Sequence, residues 1–359
     1  MPWLFLLAWW VLALIVAAAA YAAWNRTGIS LRLAVRNAVP APGSPAEDLP
    51  EQFLRAGSLP APVFEGDGFE LEVAFRSGRG ARGPAWAIGQ VGDKQVWAGT
   101  GLVPRTGWSQ TRPLRSLRRG PIAARDWRMH TSDPLGFFLG LRRTSDSEIA
   151  LILPRFASLG DRRQVRELEA SMAAPRAGSG NELFGIREYR PGDSLRRIHW
   201  RSSARHGELV VREYEPPGLQ TLAILLDPSP TTTDIADQVA RIAASEAWDC
   251  VREGGRVVIW APGCEPVQSR DLWLLLEWLA RYPHSPSGPA PQALRASSPQ
   301  VGSSHLPMNG EESVVITATP NAELLETAEG FRSRRAWVIG DAQLDLDAAV
   351  RRVGTTWPL

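Results

Sequence analysis

A chain of 359 residues, 44% apolar and 22% charged, has room for two folded domains and the composition of an ordinary globular protein, which excludes a disordered, collagen-like or polytopic membrane chain. Forty basic and thirty-eight acidic residues leave a net charge of +2, which excludes bulk electrostatic capture of nucleic acid. All the cations except Lys94 are arginines, so a local arginine cluster says less here than it would elsewhere, and two cysteines, Cys250 and Cys264, are too few for a disulfide framework and too far apart for CxxC chemistry.

The N-terminus carries the first element. From Leu4 to Trp24 runs an uncharged stretch, LFLLAWWVLALIVAAAAYAAW. As a helix it is roughly 32 Å long, against about 30 Å for a bilayer core. Trp3, Trp9 and Trp10 near one end and Tyr21 and Trp24 near the other suit interfacial anchoring. Arg26, Arg32 and Arg36 follow the helix and no Lys or Arg precedes it, so the positive-inside rule places the bulk of the chain in the cytoplasm, held to the cytoplasmic membrane by one span. The competing reading is a cleaved signal peptide, since Ala20-Tyr21-Ala22 resembles an A-x-A site. A positive n-region and a short apolar core are both missing, which favours the anchor.

With 1–25 as the span, residues 26–62 read as a linker rich in Ala and Pro, with one short strand near Leu31–Val35. From residue 63 the pattern changes. Phe69, Leu71, Val73 and Phe75 alternate with Glu70, Glu72, Ala74 and Arg76, the period of a half-buried strand. Further short apolar runs at Trp86–Ile88, Gln95–Ala98, Ile122–Trp127 and Ile149–Leu153 predict a small antiparallel β-sandwich over 63–157. Residues 158–216 hold a separate segment. Residues 217–359 alternate strands with helices: Thr221–Asp227, a helix Asp234–Arg252 with Asp234 as N-cap and Gly254-Gly255 as stop, Arg256–Trp260, a helix Ser269–Arg281, a loop rich in Pro, Ser and Gly from Pro283 to Gly310, Ser313–Thr317, a short helix Ala322–Glu329 and Ala336–Gly340. That alternation predicts an open parallel α/β sheet.

Between the two domains lies Phe184-Gly-Ile-Arg-Glu-Tyr-Arg-Pro-Gly-Asp193, then Ser-Leu-Arg-Arg-Ile-His-Trp200 and Arg-Ser-Ser-Ala-Arg-His-Gly207. Pro191-Gly192 is a turn, Asp193 or Ser194 caps a helix that runs to His206, and Leu209–Tyr214 is a strand. On the helix, Arg197, Arg201 and Arg205 fall on one stripe at spacings of four. Like charges so placed cost a few tenths of a kcal/mol each in isolation, so the stripe wants anions opposite it.

The segment resembles the domain of unknown function 58 family, whose hallmark is an REYxPGDxxRxIHWxxSAR-like stretch followed by a strand ending in RE. Arg119-Gly120-Pro121, Asp133-Pro134-Leu135-Gly136-Phe137-Phe138 and Leu153-Pro154-Arg155 appear upstream in family order. The resemblance implies a bacterial membrane protein with a β-rich domain and a C-terminal region similar to a von Willebrand factor A domain. It also implies a genomic association with a MoxR-type AAA+ ATPase and an accessory or assembly role. The candidate partner-binding or domain-clamping residues are Arg187, Glu188, Tyr189, Asp193, Arg197, His199, Trp200, Arg201, Arg205, Arg212 and Glu213. Three readings stand for them: internal ion pairing with Glu182, Glu188, Glu208, Glu213 and Glu215, a cationic face that docks an acidic partner, or, least favoured, a nucleic-acid or anionic-lipid contact. His199 and His206 read as packed residues and not as acid/base catalysts.

Von Willebrand A-type metal sites use D-x-S-x-S after the first strand, and Asp227, Ser229 and Thr231 keep that spacing with one Ser-to-Thr departure. Ser313–Thr317 runs into Ala318, Thr319, Pro320 and Asn321 without the second carboxylate, and Asp341 follows a later strand. The site is therefore a degenerate candidate for Mg²⁺, a hard cation that wants several oxygens and net negative charge. The alternative is that Asp227 orders its loop or caps the next helix through backbone N–H bonds. No P-loop, G-x-S-x-G elbow or HExxH occurs. The sequence thus predicts a membrane-anchored, non-enzymatic interaction protein, a partner of a MoxR-type ATPase that binds no nucleic acid. The competing expectation is a metal-dependent hydrolase built on Asp227 and the hydroxyls beside it.

Overall fold

In the computed structural model the described residues are 2–50, 62–78, 80–160, 183–188, 203, 210–214, 221–283 and 312–357. They fall into two units, Met1–Arg155 with Leu276–His284, and Phe156–Leu275 with Ser285–Leu359.

The first unit begins with helix α1, Pro2–Gly28, which is long and apolar enough to cross a membrane. It runs into strand β1, Ile29–Val39, with no linker between them. The strand expected near Leu31–Val35 is present and longer, and to that extent the expectation of a linker over 26–62 is corrected. Ile29, Leu31, Leu33 and Val35 alternate with Ser30, Arg32, Ala34 and Arg36, a strand period that the Ala- and Pro-rich residues after it obscure. β1 pairs along most of its length with β3, Gly68–Ser77, and a four-residue helix α2, Pro45–Asp48, capped by Ser44, follows it.

β3 buries Phe69, Leu71, Val73 and Phe75, as its alternation predicts, and also pairs with β6, Trp108–Arg115. The second sheet holds β2 (Val63–Phe64), β9 (Ser147–Leu153), β7 (Gly120–Ser132), β4 (Ala85–Val91) and β5 (Lys94–Thr100) in that order, with β8 (Leu139–Arg143) paired to β7. All pairs except β2·β9 are antiparallel. Leu71, Val73 and Phe75 from one sheet meet Ala85, Ala87, Val96, Ala98, Trp127 and Met129 from the other in a single core. On the outer face Glu72 takes a bidentate ion pair from Arg36, at 2.7 and 2.8 Å, and that guanidinium holds its carboxyl below the usual range.

The C-terminal end of α1 is fixed to this sandwich. Tyr21 Oη donates to Gly83 O at 2.9 Å, and Asn25 Nδ2 donates to Pro84 O and Ser132 O. The Arg82 guanidinium stacks 3.7 Å from the Trp24 ring centroid and donates to Trp24 O, a cation on the carbonyl end of the helix dipole. A Cβ on Gly28 would fall inside that guanidinium, so any larger residue there would have to push the Arg82 side chain aside. Elsewhere in the unit Arg119 donates to Leu279 O, Ala280 O and Tyr282 O, which terminates the helix that ends at Ala280.

The second unit is built on a six-stranded sheet in the order β14-β13-β12-β15-β16-β17. The strands are β12 (Thr221–Leu226), β13 (Arg256–Trp260), β14 (Val267–Ser269), β15 (Glu312–Thr317), β16 (Ser333–Ile339) and β17 (Ala349–Val353). All neighbours are parallel except the edge pair β13·β14. Helices α3 (Thr233–Arg252), α4 (Leu272–Ala280) and α5 (Ala322–Glu329) connect them. Leu222–Leu226 and Val314–Ile316 are buried on both faces, which is why they read as continuous apolar runs.

Thr232, and not Asp234, caps α3: its hydroxyl accepts from Ile235 N, while Asp234 sits in the first turn near the positive end of the dipole. Gly254 stops the helix at φ +83°, as expected. The segment after Phe156 is tied to the same helix. Ser158 Oγ and Leu159 N donate to the two oxygens of buried Asp249, and Phe156 packs on Trp248. Glu246 of α3, fully buried, accepts two bonds from Arg335 and one from Trp337 Nε1 of β16.

Candidate functional site

The signature segment opens as a hairpin. β10, Leu183–Glu188, pairs antiparallel with β11, Val210–Tyr214. The register sets Arg187 opposite Val211, Glu188 opposite Val210, Ile186 opposite Arg212 and Gly185 opposite Glu213. Four of the candidate residues, Arg187, Glu188, Arg212 and Glu213, thus share one two-stranded ribbon. Tyr189, Asp193, Arg197, His199, Trp200, Arg201 and Arg205 lie outside the described residues, as does the expected helix apart from Ser203, which is helical and buried.

The ends of β12 and β15 form the other part of the site. Strand order reverses between them: β13 and β14 lie to one side of β12, and β15, β16 and β17 to the other. Open α/β sheets take their ligands in the crevice at such a reversal, beyond the carboxyl ends of the strands. Asp227 stands there, 2% exposed. Its Oδ2 accepts from Thr317 Oγ1, Ala318 N and Thr319 N, each at 3.1 Å, and its Oδ1 accepts from Ser229 N at 3.0 Å. Asp227 N itself donates to Ile316 O at 3.0 Å, so the two strands are joined by main chain as well as by side chain.

One carboxylate therefore fastens the loop after β12 to the loop after β15. Of the residues doing this, Asp227 and Ser229 stood out in the sequence, whereas Thr317, Ala318 and Thr319 did not. Their partner lies ninety residues away in the chain, and no local period reports such a contact. The one available signal was the hydroxyl of Thr317 at the end of a buried apolar strand.

Ser229 and Thr231 are exposed beside Asp227 and bring hydroxyls without charge. Among the described residues no group of three or more His, Cys, Asp or Glu side chains converges in the way a cation requires. Asp341 follows β16, two strands from β12 and so about 10 Å away across the sheet. A cation touching the Asp227 oxygens would compete with the N–H and O–H donors already bonded to them, and hard cations bind where several oxygens carry net negative charge. The four bonds come from three main-chain N–H groups and one hydroxyl.

Comparison with known proteins agrees with the signature. Residues 185–268 match the family model described as "Protein of unknown function DUF58". The uncharacterized protein YeaD of Bacillus subtilis (strain 168) is 29% identical over 90 residues, a match that spans 24% of this chain and 22% of that protein. The matched region begins in β10, takes in the Asp227 loop and ends in β14. Over residues 185–268, from the β10·β11 ribbon through the strand-order reversal to the antiparallel edge, the chain is similar to the DUF58 family.

Proposed function

We propose that this chain is a single-span protein of the cytoplasmic membrane, with its bulk on the cytoplasmic side, whose α/β unit binds a protein partner and performs no chemistry of its own. The observation that carries the reading is the internal bonding of Asp227. The crest at the strand reversal is a pair of loops locked by four hydrogen bonds, a rigid surface prepared for contact. The sheet order, with its antiparallel edge at β14, supports a likeness to von Willebrand factor A domains. In that likeness Asp227, Ser229 and Thr231 take the metal positions; here Asp227 acts as a loop organiser in place of a Mg²⁺ ligand. The family resemblance makes a MoxR-type AAA+ ATPase the first partner to test, with the arginines of the signature segment as the second contact.

The test uses the full-length chain cross-linked in native membranes and recovered for mass spectrometry. A AAA+ ATPase is expected in the recovered complex, and S229R/T231R or R197E/R201E/R205E should abolish its recovery while the protein stays folded. Recovery of no partner overturns the reading. Titration of the purified protein with Mg²⁺ should give no heat and no change in melting temperature; saturable binding lost in Asp227→Asn would favour the hydrolase alternative.

A further inference from the structure

The sandwich end nearest α1 is unusual in what it exposes. β1 starts, β3 ends, β4 starts, β5 ends and β7 ends there, as the pairs Ile29–Ser77, Ala85–Thr100 and Ala85–Thr131 show. The loops at this rim present Leu102, Leu135 and Phe137, and β8 begins there with Leu139 opposite Ser132. These four side chains are 57%, 56%, 61% and 68% exposed. Exposed Arg26 and Arg105 stand at the same end.

The apolar tips are not loose. Asp133, fully buried, accepts from Leu135 N at 2.9 Å and Phe138 N at 2.7 Å, and its own carbonyl accepts from Gly136 N. A turn this well bonded holds Leu135 and Phe137 out into the surroundings at a fixed height.

That height is set by α1. Trp3–Trp10 and the residues up to Val16 are exposed, while Ala18, Ala22 and Asn25 form a buried stripe on one face, where the helix meets β7 and β8. From Asn25 back to Ala18 the helix rises about 10 Å. Ala18 and Ala22 both lie inside the uncharged run Leu4–Trp24. The sandwich therefore climbs alongside the part of the helix that a bilayer has to accommodate.

We propose that this rim is a lipid-contacting surface: Leu102, Leu135, Phe137 and Leu139 enter the boundary between headgroups and acyl chains of the bilayer that α1 crosses. The inference rests on α1 being a membrane span. Interfacial apolar groups bury about 5–10 Å into this boundary, which matches the climb of the rim along the helix. Arg26 and Arg105 then lie at phosphate level, where basic side chains are attracted to an anionic surface. The domain is seated on the membrane by two independent elements, so its orientation is fixed as well as its distance.

The test places single cysteines at Phe137 and at Leu102 in the full-length chain carrying C264S. Each is labelled with an environment-sensitive fluorophore and reconstituted in vesicles of phosphatidylethanolamine and phosphatidylglycerol. Nitroxide lipids quench from headgroup depth or from deep in the acyl region, and Leu12→Cys reports on the helix. Both rim probes should shift to the blue and be quenched by the shallow nitroxide, with the helix probe quenched by the deep one. L135D/F137D should remove quenching at the Leu102 probe and leave the helix probe unchanged. Quenching of the helix probe alone overturns the rim proposal and leaves the span intact. A helix probe that no lipid quenches removes both. A blue shift at the rim without lipid quenching means that protein, such as a second copy of the chain, covers the patch, and this too overturns the proposal.

Discussion

Two buried aspartates, one in each unit, do the same kind of bonding over very different distances. Asp133 in the sandwich takes its N–H donors from Leu135 and Phe138, within its own turn. Asp227 in the α/β unit takes one donor from Ser229 and three from Thr317, Ala318 and Thr319, across two neighbouring strands. Both are buried side chains whose oxygens accept from fixed main-chain dipoles. The difference lies in what each holds. Asp133 shapes one loop that exposes apolar side chains, whereas Asp227 joins two elements of the central sheet at its point of reversal. A short-range tie can open without the rest of its domain; a long-range tie is part of the cooperative unit.

The strongest way to break this comparison is Asp227→Ala. Four donors lose an acceptor at a site 2% exposed; the Thr317 hydroxyl keeps Thr319 O and Thr319 N keeps the Thr317 oxygen, so the cost of about 1–3 kcal/mol for each buried unsatisfied group falls mainly on Ser229 N and Ala318 N. Partial hydration of the crest reduces the sum, so we expect a loss of about 4 kcal/mol. Hydrogen exchange should accelerate together at 227–232 and 312–321, and the α/β unit should melt earlier while the sandwich does not. Faster exchange confined to 227–232 would show that the tie is as local as that of Asp133.

Asp249 offers an intermediate case. It is 2% exposed and holds Ser158 and Leu159 against α3, a tie across some ninety residues that touches the end of a segment and not the sheet. Asp249→Ala should cost about 2 kcal/mol, the scale of two charge-assisted bonds with solvent nearby. Limited proteolysis is expected to begin near residues 157–160, with α3 still protected. If the loss equals that of Asp227→Ala, distance along the chain would matter more than position in the sheet.

The same contrast separates what the sequence made legible from what it hid. β3 and β12 were readable because their burial is written in a local period, two for Phe69–Phe75 and a continuous run for Leu222–Leu226. The stop of α3 was readable because Gly254 is a left-handed residue at the end of an amphipathic pattern. Its start was misplaced because Thr231, Thr232, Thr233 and Asp234 are all competent caps, and only the backbone at Thr232 decides among them. β1 was readable only as a short strand near Leu31–Val35, because the Ala- and Pro-rich stretch behind it obscured its full length. β14 and β17 were missed because Val267–Ser269 is three residues long, while Ala349–Val353 is an exposed edge carrying two arginines. Asp227 was singled out for its spacing to Ser229 and Thr231, yet what it grips is Thr317–Thr319, information that no window around residue 227 contains.

The smallest and most local effect belongs to Asp133, and pH reads it. Burial pushes its carboxyl up, but the N–H groups of Phe138, Leu135 and Gly136, together with its own, outweigh that and hold it below the usual value. A carboxyl lowered in the folded state contributes stability that is complete above the unfolded value of about 3.9 and is lost as pH falls through the lower, folded value. Between neutrality and about pH 5 the turn should therefore be indifferent to acid. Below about pH 3.9 exchange at residues 135–138 should rise first, with the paired amides of β7 and β8 following only at greater acidity. Asp133→Asn removes this pH step while leaving an oxygen to accept one of the two side-chain bonds, so its turn should already be more open at neutral pH. Were the whole sandwich to lose protection in step with residues 135–138, Asp133 would be a structural tie of the same rank as Asp227, and the apolar tips at Leu135 and Phe137 would owe their fixed height to the domain as a whole.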